Sequence, residues 1–256
     1  MTSGRSWWKS PLLMAFALAG ALLNPASAGE TRDTLEADPS RYRWKLESSE
    51  NQCRSYSSEV AGQAFVAAKV VCEIAARIDV IGTILRDIEH YPEWMSGCLA
   101  TRMLKVDDDA SDSFTFWWHH HIPILQDRDV ILQVTTTSNL AHGYQLIDVH
   151  SSEAIRFDAG ENLARMPSAH TPFKLEWIDQ EHTRVSWMLD MNVGSGVPPA
   201  IANAILKQIP YKSMMGLRKM AASKKYQQAA RTSKYARYVE DAIRLGQLKP
   251  AQQTAQ

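Results

Sequence analysis

Net charge is the first thing this chain of 256 residues lacks: 28 Lys and Arg offset 28 Asp and Glu. Any attraction for phosphate must therefore come from a local cluster, not from the whole-chain field. The twelve glycines form no phosphate-cradling loop and no dinucleotide fingerprint, which excludes the usual nucleotide-binding motifs. Gly194-Ser195-Gly196 lacks the Gly-x-Ser-x-Gly spacing of a nucleophile elbow, so its glycines read as turn formers. No repeat or low-complexity block is present. Cysteine is scarce, with Cys53, Cys72 and Cys98 the whole complement. None of them directly follows the N-terminal apolar run, which argues against a lipoprotein anchor. A second long apolar run is also missing, so the chain beyond the first is expected to be soluble.

What is present begins with a leader. Arg5 and Lys9 precede an apolar run from Pro11 to Leu23, and Asn24-Pro25 breaks it before Ala26-Ser27-Ala28. This is the pattern of a secretory signal peptide over residues 1–28, with cleavage after Ala28 and a periplasmic or secreted destination. The run is too short to span a bilayer, which takes about 20 residues. The remaining chain, Gly29 to Gln256, is long enough for one domain with a sizeable core. Residues 29–43 are polar and aperiodic and read as a linker. The domain proper is expected over 44–230, followed by a basic helical extension and disordered tail over 231–256. From Lys207 to Lys249 there are eleven Lys or Arg against Glu240 and Asp241. A basic face of this kind either sits in solvent or attracts anionic lipid.

Periodicity predicts the elements between. Cys53–Val60 and Phe65–Ala76 read as a hairpin, with Val66, Ala68, Val70, Cys72 and Ile74 on one face. If residues 61–64 form its loop, Cys53 falls opposite Cys72, and a cross-strand disulfide is possible; one register slip would abolish it. Cys98 is expected to be a buried free thiol. Asp79 is placed as the N-cap of a helix over Val80–His90, which Pro92 ends. Strands follow over 99–106, 113–121, 128–138, 144–151, 162–166, 173–177 and about 185–191, giving about eight antiparallel strands. Pro198-Pro199 opens a helix, Pro210 restarts it, and a long helix is expected from Tyr211 to about Gln228. The fold class is α+β.

Two segments resemble a known family. Asp87-Ile88-Glu89-His90-Tyr91-Pro92-Glu93-Trp94-Met95 and Pro123-Ile124-Leu125-Gln126-Asp127-Arg128-Asp129 are similar to paired motifs of the START lipid-transfer domains. The Gly196-x-Pro198 turn before the last helix resembles a third. The resemblance spans roughly Trp44 to Gln228. It implies a helix-grip fold, a curved antiparallel sheet wrapped around a long C-terminal helix with an internal apolar cavity. It also implies one hydrophobic ligand between sheet and helix, a lipid or other apolar small molecule. No acid lies in Phe114-Thr115-Phe116-Trp117-Trp118, where some sterol-binding members carry one, so sterol specificity is not implied.

On that reading the cavity lining is Trp94, Met95, Phe116, Trp118, His120, Arg128, Phe173, Trp187, Met214 and Leu217. Membrane contact falls to Lys207, Lys212, Arg218 and Lys219. No cofactor, metal, nucleic-acid partner or catalytic residue is expected, and the protein is expected to be a monomer. His119 and His121 share a strand face and could begin a zinc site, but no third ligand has informative spacing. Arg128 and Asp129 read either as an ion pair fixing a strand start or as a ligand contact through Arg128. Two other functions stay open: a cyclase/aromatase-like enzyme using His120 and Arg128, and a protein-interaction module.

Overall fold

The computed structural model describes residues 35–248 apart from positions 37, 124 and 161. The leader and the tail after Lys249 lie outside the described residues. The described chain runs β1 (Lys45–Glu50), β2 (Cys53–Ser58), β3 (Ala67–Ile74), α1 (Ile78–Arg86), a 3-10 turn over Ile88–Glu93, β4 (Cys98–Asp108), β5 (Ser113–His120), β6 (Arg128–Asn139), β7 (Tyr144–Ser151), β8 (Ala164–Arg165), β9 (Ser168–His170), β10 (Phe173–Trp177), β11 (Thr183–Asn192), α2 (Pro199–Leu206), α3 (Ile209–Ala221), α4 (Lys224–Arg231) and α5 (Lys234–Arg244). The α+β class is as expected.

The strands make one sheet in the order β1-β2-β3-β11-β10-β7-β6-β5-β4. The two halves of the chain meet where β3 pairs β11, with Val70 opposite Trp187. Period-2 alternation then sends one set of side chains inward: Phe114, Phe116 and Trp118 from β5, Leu132 and Val134 from β6, Phe173 and Leu175 from β10. These join α1 and α3 in the main core. On the opposite face, Tyr42, Val60, Ala67 and Met188 form a small separate cluster, with Trp44 packed against it.

Several local expectations change. Strand β1 escaped the sequence reading because its side chains are almost all exposed and so carry no alternation. The 162–166 strand shrinks to β8, and it pairs β6 in parallel, Arg128 beside Ala164 and Asp129 beside Arg165. The first helix is shorter than expected at its C-terminus, because Asp87 leaves helical dihedrals and Ile88–Glu93, including Pro92, winds as 3-10. Asp79 is not its N-cap. That position is Arg77, and the buried Asp79 carboxylate takes a two-pronged contact from the Arg77 guanidinium, 2.8 Å on each side. The long helix expected from Tyr211 to about Gln228 is cut in two, α3 and α4, and the separate basic helix expected over 233–245 is α5. Ser223 accepts from the Tyr226 N–H and Ser233 from the Ala236 N–H, so each hydroxyl starts a new helix. The segment read as a basic extension buries Tyr235, Ala236, Val239 and Ala242 along one face of α5, the spacing of an amphipathic helix.

Cys53 and Cys72 are opposite in register, and a disulfide joins them. Cys98 is free and buried.

Candidate functional site

An apolar cavity lies between the inner face of the sheet and α1. Phe114, Phe116 and Trp118 of β5, Leu132, Val134 and Thr136 of β6, and Gln145, Ile147 and Val149 of β7 supply one wall, each set on alternate positions. Phe173 and Trp187 close its floor. They are directly paired across β10 and β11, and their rings stack at 5.0 Å and 5°. The Trp187 Nε1–H donates to the Thr171 carbonyl at 3.3 Å, so the indole presents only carbon to the space. Gly82, Leu85 and Arg86 of α1 form the roof, with Tyr91 and Met95 beside them, and Asp112 and Tyr235 stand at the mouth.

The cavity volume is about 30 Å³, room for two or three waters. That is far below the range of small-molecule sites, about 300–1,000 Å³. The cavity is therefore a narrow apolar slot whose walls must part to admit a ligand.

The mouth is the charged part of the site. Asp112 is buried and in the left-handed region at φ 52°, at the tip of the β4–β5 hairpin. Its carboxylate lies 2.6 Å from Lys234 Nζ and 3.5 Å from Arg86 Nε, and it accepts from the Tyr235 hydroxyl. Burial and the adjacent Asp112 charge raise the Tyr235 phenol well above its ordinary value. The ring of Tyr235 lies where a Cβ on Gly82 would touch it at 3.4 Å, so α5 seats against α1 through a glycine.

Of the lining residues expected from sequence, Met95, Phe116, Trp118, Phe173 and Trp187 are on the cavity wall. The other five are not among its lining. Trp94 is buried behind Tyr91, ring to ring at 5.0 Å, with its carbonyl pressed on α3: a Cβ on Gly216 would collide with it. The Ser96 N–H donates to Ser213 Oγ at 3.0 Å in the same contact. Met214 and Leu217 are fully buried on α3, which packs on β3 and α1. In this cavity α1 forms the roof, α5 meets the mouth, and no lining residue comes from α3. Amphipathic packing explains this, because α3 spends its apolar face on the core.

His120 and Arg128 are also off the cavity. His120 is buried against Gly97, where a Cβ would collide with the imidazole. Burial pushes the imidazole down to about 4, with the His121 charge next. Burial likewise pushes the neighbouring Cys98 thiol up to about 12, so near neutral pH both are held uncharged. Arg128 is not ion-paired with Asp129. Its guanidinium donates to three carbonyls, Gln126 at 2.6 Å, Val193 at 2.8 Å and Ser195 at 3.0 Å, tying the β5–β6 loop to the Gly194-Ser195-Gly196 turn. Asp129 instead takes Arg165 at 2.9 and 2.8 Å and the Trp117 Nε1–H at 2.7 Å. The strand start is pinned by charge, but through a residue 36 positions away.

His119 and His121 converge on Asp127, at 3.1 and 2.8 Å. Among the described residues no group of three or more His, Cys, Asp or Glu is arranged to hold a metal ion. The four expected membrane cations divide. Lys207 lies 2.9 Å from Glu47, and Arg218 donates to the Glu73 carbonyl at 2.8 Å. Lys212 and Lys219 are exposed. Among the described residues no helix is long and apolar enough to cross a membrane.

Asp112, Arg86, Gly82 and Tyr235 were missed in the sequence. The Tyr235/Ala236/Val239/Ala242 spacing carried the signal for Tyr235; Asp112 carried none, because its role depends on where the hairpin tip lands.

No family model matches the chain. An uncharacterised protein of Pseudomonas aeruginosa is 25% identical over 178 residues, covering 70% of this chain and 86% of that protein. Among solved structures, a STAR-related lipid transfer protein from Xanthomonas axonopodis superposes with a TM-score of 0.63 at 20% identity, over 70% of this chain and 99% of that one. Human STARD10 superposes with a TM-score of 0.63 at 15% identity, over 82% and 84%. Human StAR-related lipid transfer protein 5 gives 0.61 at 10% identity, over 72% and 88%. At these identities the likeness shows the fold: this chain has the START-type helix-grip architecture.

Proposed function

We propose that this protein is an exported carrier that binds one apolar small molecule, a lipid or a single lipid chain, without chemically changing it. The observation that carries the reading is the slot between sheet and α1, walled by Phe116, Trp118, Phe173, Trp187 and aliphatic side chains. Ten methylenes transferred out of water gain about 8 kcal/mol, against which the opening of the walls is set. The names of its structural neighbours, lipid transfer proteins, agree with that use of the fold. The Cys53–Cys72 disulfide agrees with an oxidising compartment such as the periplasm, and so does the leader pattern over residues 1–28. Exposed Lys212 and Lys219 would let α3 rest transiently on an anionic membrane.

The test is cargo capture. Delipidated protein is mixed with vesicles holding a labelled lipid, re-isolated and weighed intact by native mass spectrometry. Wild type gains about one lipid mass per chain. A Val134→Trp variant, which overfills the slot from β6, still melts cooperatively, at a lower temperature, and gains none. Wild type that stays empty, or a variant that loads as well as wild type, removes the cavity from the function.

A further inference from the structure

The slot does not end at its mouth. On the far side of Tyr235 lies an open groove between α5 and the β6–β7 turn, with a volume of about 520 Å³. Asp112, Thr136 and Tyr235 line both spaces and form the wall between them. A side-chain contact also crosses from one to the other: Gln145, buried on the slot side, donates to Ser138 Oγ on the groove side at 3.0 Å.

The chemistry of the groove differs from that of the slot. Ser111, Ser138, Asn139, Tyr238 and Gln247 line it with hydroxyls and amides, beside Leu140 and Leu245. Among the described residues no Lys or Arg lines it, although this part of the chain is rich in both. Its two carboxylates are already matched from outside the lining, Asp112 by Lys234 at 2.6 Å and Asp241 by Arg244 at 2.7 Å. An anionic head placed there would meet two carboxylates and no cation offering itself. A cationic head would compete with pairs already made. A head of uncharged hydroxyls meets matching donors and acceptors.

We propose that the groove is the head-group subsite of the same ligand, and that the ligand is a single-chain amphiphile with an uncharged, hydroxyl-bearing head. The inference rests on the reading of the slot as a chain-binding site. The chain lies in the slot, the head lies in the groove, and the ring of Tyr235 swings aside from Asp112 to let the two join. Specificity comes from the missing cations as much as from the hydroxyls present.

The experiment titrates the mature chain calorimetrically with three twelve-carbon amphiphiles below their micelle concentrations: dodecyl maltoside, laurate and dodecyltrimethylammonium. Dodecyl maltoside binds at least about tenfold more tightly than either ion. Gln247→Arg, an exposed change at the groove rim, narrows or reverses the gap to laurate while leaving the melting transition in place. Equal affinity for all three heads, or tighter binding of either ion, overturns the head-group assignment and leaves the slot standing. A Gln247→Arg protein that folds but keeps the wild-type preference overturns it too. If none of the three binds, the chain-binding reading itself fails and the head-group subsite fails with it.

Discussion

His120 gives the sharpest quantitative test of how this core is built. Its imidazole is 4% exposed, stands edge-on to Trp118 at 5.3 Å, and fills the space a side chain at position 97 would need. Burial holds its pKa down at about 4, against an ordinary imidazole value of 6.5. Between those values the unfolded chain takes up a proton that the folded chain refuses. Stability is therefore present in full above about pH 6.5 and falls as pH drops toward about 4, by 1.4 kcal/mol per pH unit. Across that window the loss is about 3 kcal/mol, a large share of the 5–15 kcal/mol that holds a typical domain. Urea unfolding followed by tryptophan fluorescence at several pH values, for wild type and His120→Leu, reads it directly. Wild type should lose about 3 kcal/mol more than the variant over the window. The carboxylates held below their ordinary values weaken the fold only at more acid pH, below 4.5 for Glu36 and Glu47 and below 3.8 for Asp107 and Asp127. Parallel pH profiles for the two proteins would refute the reasoning and mean that the His120 imidazolium reaches water or a hydrogen-bond acceptor in the fold.

Four other substitutions probe separate joints. Gly216→Ala forces α3 off the Trp94 carbonyl; it should cost about 1–3 kcal/mol in a denaturant melt, and an unchanged midpoint would show that the two segments do not touch. Cys53→Ser with Cys72→Ser opens a loop with a sequence separation of 19 and should cost about 3 kcal/mol; addition of reductant to wild type should lower its melting point to the same level. Arg128→Leu leaves the Gln126, Val193 and Ser195 carbonyls without their shared donor; it should cost about 3 kcal/mol or more and speed hydrogen exchange in the 194–196 turn. Trp187→Ala removes the stacking partner of Phe173; it should cost about 3–5 kcal/mol and abolish lipid capture, and a variant that still loads fully would place the chain elsewhere.

The two segments that carried the family resemblance have different physical roles from those their composition suggested. Trp94 is not a cavity wall. Its backbone, not its ring, is the working part, because α3 approaches closely enough that Gly216 cannot carry a Cβ. Arg128 is a buried cross-tie between two loops, a role set by where three carbonyls end up and therefore invisible in a linear pattern. Met95, beside Trp94, does face the slot.

The sequence by itself determined the α+β class, most strand positions and the inward faces of β5, β10 and β11, and it allowed the Cys53–Cys72 pairing that the structure makes. All of these follow from period-2 alternation and turn chemistry, which act over a few residues and are written locally. Which helix covers the cavity, where its mouth opens and what lines the groove outside were decided by tertiary structure. Those depend on which apolar faces find each other first: α3 is consumed by packing on α1 and β3, and two serine caps divide the helix behind it. That division lets Tyr235 of α5 reach Asp112 across 123 residues of chain, a pairing no local rule contains.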